Sequence, residues 1–356
     1  MKKKYMKYVV FMVVLCMLLT GCKGQPGNNP DNNELTRFSA NFFDVFDTQT
    51  TVIGYAKDQE TFDEKVELIE EKLMEYHRLY DIYHTYDDIN NLKTINDNAG
   101  IEPVVVDSEI IELLKMSREM YELTSGKVNI AMGSVLEIWH DHREIGREHP
   151  EKATVPEIEV LKKASEHMNI ENLIIDEEAS TVYLKDAEMS LDVGGIGKGY
   201  AVQKTAEYAR EIGLENALIS VGGNACALGV KQNGTQWKIG IQNPDLESDE
   251  AHVAKVCVKD ACVVTSGDYQ RYYMVDDVKY SHIIDPDTLM PAAYFASVTI
   301  IAKDSGMADA LSTGVYNMPL EEGMELISKL SDVEAMWVQK DGELVYSEGF
   351  QAMIDS

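Results

Sequence analysis

The sequence predicts an α+β fold: one domain in which mixed or antiparallel sheets are flanked by helices. Two observations lead there. Helical periodicity dominates the first half of the chain while short β-rich runs dominate the second, and those runs are grouped instead of alternating strictly with helices, which disfavours a doubly wound sheet. Length alone would also allow two small domains, but no linker composition is visible after Asn33 and 45% hydrophobic residues can fill a sizeable core.

The N-terminus stands outside that fold. Lys2, Lys3, Lys4 and Lys7 precede an apolar run over residues 9–19 that ends in Leu19-Thr20-Gly21-Cys22. The run is too short for a comfortable transmembrane helix. It reads as a lipoprotein signal peptide over residues 1–21, cleaved before Cys22, whose thiol and new amino group would be acylated; an uncleaved anchor is the alternative. In both cases the folded part, residues 34–356, is expected on the extracytoplasmic face of the cell membrane. The Asn, Pro and Gly-rich residues 22–33 form a flexible tether.

In the folded part, Phe62, Val66, Ile69, Leu73, Tyr76, Tyr80 and Tyr83 recur at steps of four and three, one face of a long amphipathic helix. A second helix is predicted after Asp107-Ser108, and a third from Thr154-Val155-Pro156, with the proline in its first turn. Strands are predicted at residues 181–184, 189–191, 217–221, 237–242, 253–258 and 295–302, with hairpin turns at Asn233-Gly234 and Asp341-Gly342. Cys226, Cys257 and Cys262 lack metal-ligand spacing and read as small core residues.

Losing the four signal lysines takes the formal charge from −29 to −33. Such a chain is a poor partner for nucleic acid or an anionic lipid face. An anionic ligand would need local help from a metal ion, backbone N–H groups or a helix N-terminus.

The segment Leu191-Asp192-Val193-Gly194-Gly195-Ile196-Gly197-Lys198-Gly199 offers such help, because it joins a predicted strand to a predicted helix over residues 200–212. Lys198 is followed by Gly199 in place of Ser or Thr, so this is not a Walker loop, and the dinucleotide fingerprint is out of register. Alone, the turn could be purely structural. It is accompanied, in order, by "FDVFDTQTTVIGYA", "SGKVNIAMGSVLEIWH", "ISVGGN", "TSGDYQRYY", "HIIDPDT" and "ADALSTG".

Across essentially the whole mature chain, this ordered set resembles the ApbE family, the FAD:protein FMN transferases. The resemblance implies one α+β domain that binds FAD and a divalent ion, usually magnesium. It implies cleavage of the FAD pyrophosphate and transfer of FMN to a threonine or serine hydroxyl of a partner protein, with AMP as the other product. The expected partners are extracytoplasmic domains of flavin-accepting redox proteins. Asp309 and the Thr313 hydroxyl, four apart at a helix start, with the carbonyls of Ser312 and Gly195, are the implied metal ligands. Asp192 and Lys198 are expected to touch FAD, Lys198 at phosphate. His282 is expected to bind phosphate or take the acceptor hydroxyl's proton, with Ile283 beside it. Phe46, Tyr83, Lys127, Val128 and Asn129 are candidates for the isoalloxazine slot, although Tyr83 also fits the apolar stripe of its helix. Gly223 and Asn224 would shape the site floor or the acceptor entrance.

Two positions depart from the family pattern: Phe46-Asp47-Thr48 stands where Met-Gly-Thr is common, and Val128-Asn129 where Phe-Asp is common. Both bear on flavin contacts more than on phosphate chemistry. Hydrolysis of FAD to FMN and AMP, and non-catalytic flavin binding by a lipoprotein, are the alternative functions; the second has no need of Asp309, Thr313 or a base.

Overall fold

The computed structural model describes residues 35–355, so the expected signal peptide, Cys22 and the tether lie outside the described residues. In chain order the elements are β1 (Thr36–Val45), β2 (Thr48–Ala56), α1 (Gln59–Leu79), α2 (Leu92–Asp97), β3 (Val104–Val105), α3 (Ser108–Leu123), α4 (Gly133–Glu148), α5 (Ile158–Ser165), β4 (Leu173–Asp176) and β5 (Thr181–Leu184). There follow α6 (Gly197–Glu211), β6 (Ala217–Val221), β7 (Asn224–Leu228), β8 (Trp237–Gln242), β9 (His252–Val258), β10 (Ala261–Gly267), β11 (Tyr272–Val275) and β12 (Val278–Ser281). The chain closes with β13 (Phe295–Ala302), α7 (Ser305–Tyr316), α8 (Leu320–Ser328), β14 (Glu334–Gln339) and β15 (Leu344–Tyr346).

Eight strands form the main sheet in the order β1-β2-β6-β7-β10-β13-β14-β15, every neighbouring pair antiparallel. Side chains alternate across it with period two. In β10, Cys262 and Val264 face the helices while Val263 faces the other way; in β14, Trp337 and Met336 divide likewise. On the helix side, Phe62, Val66, Ile69 and Leu73 of α1 meet Val202, Ala206 and Ala209 of α6, and Leu311 and Val315 of α7 cover Val298 and Ile300. The β8–β9 hairpin covers the opposite face through Trp237, Ile241, Val256 and Val258. A second core joins α2, α3 and the β3-β5-β4 sheet to the start of α6, and a third joins α4 and α5 to the β11–β12 hairpin.

The α+β fold is as predicted, and several local details differ from expectation. α1 stops at Leu79, because Asp81 accepts the backbone N–H groups of Tyr83 (2.7 Å) and His84 (3.1 Å) and the Tyr86 hydroxyl (2.9 Å), a turn that competes with another helical turn. Pro156 precedes α5, which begins at Ile158. Residues 189–191 form no strand: Ser190 makes one isolated parallel bridge to Met132. Asp341-Gly342 does turn a hairpin, between β14 and β15, whereas Asn233-Gly234 lies between β7 and β8, which belong to different sheets. Cys226 and Cys262 are buried as predicted, but they are directly opposed on β7 and β10 and joined as a disulfide; Cys257 is a half-buried free thiol.

Candidate active site

The glycine segment is clamped before it turns. The Asn96 amide brackets Leu191, accepting its N–H (2.8 Å) and donating to its carbonyl (3.0 Å), and Asp192 N–H donates to the Ile130 carbonyl at 2.8 Å. Asp192 Oδ1 then accepts the Gly194 N–H at 2.7 Å. Burial raises the Asp192 pKa, against the pull of that N–H, Arg143 and His140.

The glycines do two different things. A β-carbon at Gly199 would lie 2.3 Å from both Asp309 Cβ and the Ser305 carbonyl oxygen, so its absence lets α6 and α7 touch. Gly194 is exposed, and Gly195 faces Thr313: a β-carbon there would stand 3.5 Å from Thr313 Oγ1. Two of the predicted metal-site positions therefore meet across the loop.

Asp309 is 4% exposed. Its Oδ2 accepts the Gly199 N–H at 2.7 Å, and it forms no ion pair among the described residues. A buried carboxylate without a cation is costly unless something positive reaches it. Ser266 Oγ on β10 adds hydroxyl contacts, 2.7 Å to Ser312 Oγ and 3.4 Å to Thr313 Oγ1. Among the described residues no cluster of three or more His, Cys, Asp or Glu side chains is arranged to hold a metal. An ion here would instead draw on one carboxylate, hydroxyls and backbone carbonyls, the all-oxygen environment that suits magnesium. The residues present fit such an ion.

Positive charge gathers around His282. The β11–β12 hairpin presents His282, whose Nδ1 lies 3.1 Å from the Arg271 carbonyl. A carbonyl only accepts, so Nδ1 carries the hydrogen and Nε2 keeps its lone pair. Desolvation first, then the charges of Arg271, Arg143 and Lys198, push the imidazole pKa down to about 3. The ring is therefore neutral at physiological pH. Tyr83, held by Asp81, is 55% exposed and stands 5.2 Å, ring to ring, from His140. It lies beyond α1 and is not part of that helix's core stripe.

The comparisons with known proteins agree on one grouping. The sequence profile of the ApbE family matches residues 46–337. The chain belongs to the ApbE family. It is 33% identical over 276 residues to the FAD:protein FMN transferase of Treponema pallidum, covering 74% of each chain. The crystal structure of the ApbE protein from Thermotoga maritima superposes with a TM-score of 0.79 at 29% identity, covering 90% of this chain and 100% of that one. The flavin transferase ApbE from Vibrio cholerae shares the fold with a TM-score of 0.74 at 24% identity, covering 90% and 99%. With its ApbE relatives, the chain is a transferase.

Within this ApbE fold the remaining predicted residues are placed unevenly. Phe46 sits half-buried at the β1–β2 turn, with φ 54°, its ring 5.5 Å from that of His77. That turn touches the Gly222-Gly223 turn: a β-carbon at Gly222 would lie 2.6 Å from Thr48 Oγ1. Lys127 Nζ is 2.8 Å from both Asp285 and Asp287; burial opposes its charge, but those hydrogen bonds outweigh it and raise its pKa. Val128 packs into the core, and Asn129 is committed to backbone, donating to the Met168 carbonyl and accepting the Ala131 N–H. Ile283 is buried under α7. The side chains of residues 127–129 and 283 thus shape the site from behind, while Asp192, Lys198, Gly195, His282, Asp309 and Thr313 are on the loop, helix and hairpin that form it.

Sequence reasoning missed Ser266, His140, Arg143 and Arg271. Ser266 and Arg271 lie in the quoted "TSGDYQRYY" stretch, so a signal existed. His140 and Arg143 lie at and just past the end of "SGKVNIAMGSVLEIWH", on a helix not anticipated there.

Proposed function

We propose that the protein is an FAD:protein FMN transferase that moves FMN from FAD to a threonine or serine hydroxyl of a partner flavoprotein and releases AMP, with magnesium held by Asp309, Thr313 and the carbonyls of Gly195 and Ser312. The observation that carries this reading is the buried Asp309 carboxylate, without an ion-pair partner among the described residues, set against the glycine loop. When bound, the ion would offset the charge of the diphosphate.

The chain's own residues would do the rest. The loop N–H groups at the start of α6 and the Lys198 ammonium hold the diphosphate. Tyr83 offers an aromatic face to the isoalloxazine. The acceptor oxygen attacks the FMN phosphorus, the bond from that phosphorus to the AMP oxygen breaks, and the acceptor proton passes to His282 Nε2. A diphosphate beside Arg271, Arg143 and Lys198 would offset the part of the depression that those charges add to the larger effect of burial, raising the imidazole's basicity when substrate is bound.

The same site could pass FMN to water. The test incubates the purified protein with FAD, magnesium and an acceptor domain carrying a candidate threonine, followed by mass spectrometry. An FMN adduct on the acceptor supports transfer; FMN and AMP without adduct would make the protein a hydrolase, and neither product would leave it a binder.

The proposed location is the extracytoplasmic face, with Cys22 as lipid anchor and extracytoplasmic domains of redox proteins as acceptors. The Cys226–Cys262 disulfide supports this, since such bonds persist in oxidising compartments.

A further inference from the structure

We propose that Arg143 is a substrate-binding residue that grips the FAD diphosphate from the α4 side, forming with Arg271 and Lys198 a three-sided cationic cradle around His282. The inference rests on the flavin-transferase reading and adds a residue to it.

The geometry comes from how α4 is docked. Trp139, Arg143 and Gly146 lie on one face of the helix, at steps of four and three. Trp139 stacks on Tyr280 with ring centroids 6.1 Å apart and donates its indole N–H to the Leu289 carbonyl at 2.9 Å. Gly146 lies against Tyr273, where a β-carbon would come within 2.5 Å of the ring. Both contacts are to the β11–β12 hairpin or the loop after it, so Arg143, between them, is turned toward the hairpin that ends in Ser281, one residue before His282. Its side chain is only 17% exposed.

The guanidinium is held but not used up. Nη2 is 2.8 Å from His140 Nδ1, and Nε is 3.4 Å from Glu144 Oε1, at the long limit of a hydrogen bond. With five N–H donors in a planar fork, Arg143 keeps donors for an oxyanion. It reaches His140, whose ring lies 5.2 Å from that of Tyr83, and its charge is felt at Tyr83, Asp192 and His282. In a chain of formal charge −29, convergence of three cations on one neutral imidazole needs a reason. A multiply charged anion supplies one, and the diphosphate is the part of FAD with that charge.

The experiment compares FAD with riboflavin, which has the same ring and no phosphate, by flavin fluorescence quenching on the purified protein and on Arg143→Met and Arg143→Lys. The expected result is FAD affinity at least tenfold weaker in Arg143→Met, partly restored in Arg143→Lys, with riboflavin affinity unchanged. Equal weakening for both ligands would mean that Arg143 serves the ring through His140 and Tyr83, and overturns the inference; so does unchanged FAD affinity. If Arg143→Met does not fold, Arg143→Gln takes its place under the same criteria. A wild-type protein that binds no flavin would instead sink the transferase reading itself.

Discussion

Asp309 and Gly199 are joined across two helices: Asp309 Oδ2 accepts the Gly199 N–H at 2.7 Å, while the missing side chain of Gly199 leaves room for the Asp309 β-carbon. One carboxylate oxygen thus completes the first turn of α6, and the other is left for a cation.

Replacing Asp309 with asparagine separates these roles. The amide oxygen can still accept from Gly199, so the melting temperature should hardly change, while the negative charge is gone. If the ion supplies roughly 3–4 kcal/mol of transition-state stabilisation, FMN transfer at saturating FAD should fall about 10²–10³-fold. Thr313→Val should do the same more mildly. A magnesium titration of transfer, with FAD binding measured in parallel, checks this; near-normal turnover of Asp309→Asn at ordinary magnesium eliminates the metal site.

Gly194 in the loop and Gly199 in the first turn of α6 should respond differently. Gly199→Ala forces a β-carbon onto the Ser305 carbonyl and Asp309. Overpacking of this kind costs about 1–3 kcal/mol, more than the roughly 1 kcal/mol that alanine returns in helix propensity. Gly194→Val should leave the melting temperature nearly unchanged, since only Asp192 Oδ1 lies near, at 3.0 Å, yet it should weaken FAD binding by crowding the loop. Calorimetry showing unaltered FAD affinity in Gly194→Val would make the loop purely structural.

The long helical stripe and the glycine turn were legible in the sequence because each is a local pattern. Where α1 ends was less so, because Asp81 competes through a side-chain turn that periodicity does not register. The Cys226–Cys262 pair could not be read from spacing, since the opposition of β7 and β10 is a fact of strand order. Arg143 was hidden for a related reason: its helix is docked by Tyr273 and Tyr280, which come more than a hundred residues later. The order of the motifs, in contrast, gave the family, because an ordered set of short stretches can be read without knowing any contact.

His282 should make the fold acid-sensitive. Its folded pKa, about 3, lies below the ordinary 6.5, so between those values the unfolded chain binds a proton that the folded protein refuses. This contribution to stability is complete above about pH 6.5 and is lost as pH falls toward 3. Denaturant melts of wild type and His282→Gln over that range should show a shallower pH slope in the variant, and parallel slopes would refute the depressed pKa.

Removing the disulfide should affect stability and spare chemistry. Cys226 and Cys262 are 36 residues apart, and closing a loop of that length stabilises by about 2–4 kcal/mol in chain-entropy terms. The Cys226→Ala/Cys262→Ala protein should melt at lower temperature and retain transfer at 25 °C. Equal melting temperatures with and without reductant would show that the bond does not form.

Cys22→Ala should release the protein from the membrane without altering the intrinsic activity of the folded domain. Fractionation and lipid labelling test this, and unchanged membrane retention would remove the anchor from Cys22.

The arrangement of the site also sets a timetable for its birth. Tyr83, Arg143, Asp192, His282 and Asp309 come from widely separated stretches of chain, and the carboxylate arrives last, on a helix packed over β10 and β13. A chain that ends before α7 therefore lacks Asp309, so the proposed site cannot be complete in the early stages of folding. Any premature stop before α7 yields a product without Asp309, the carboxylate proposed for the metal.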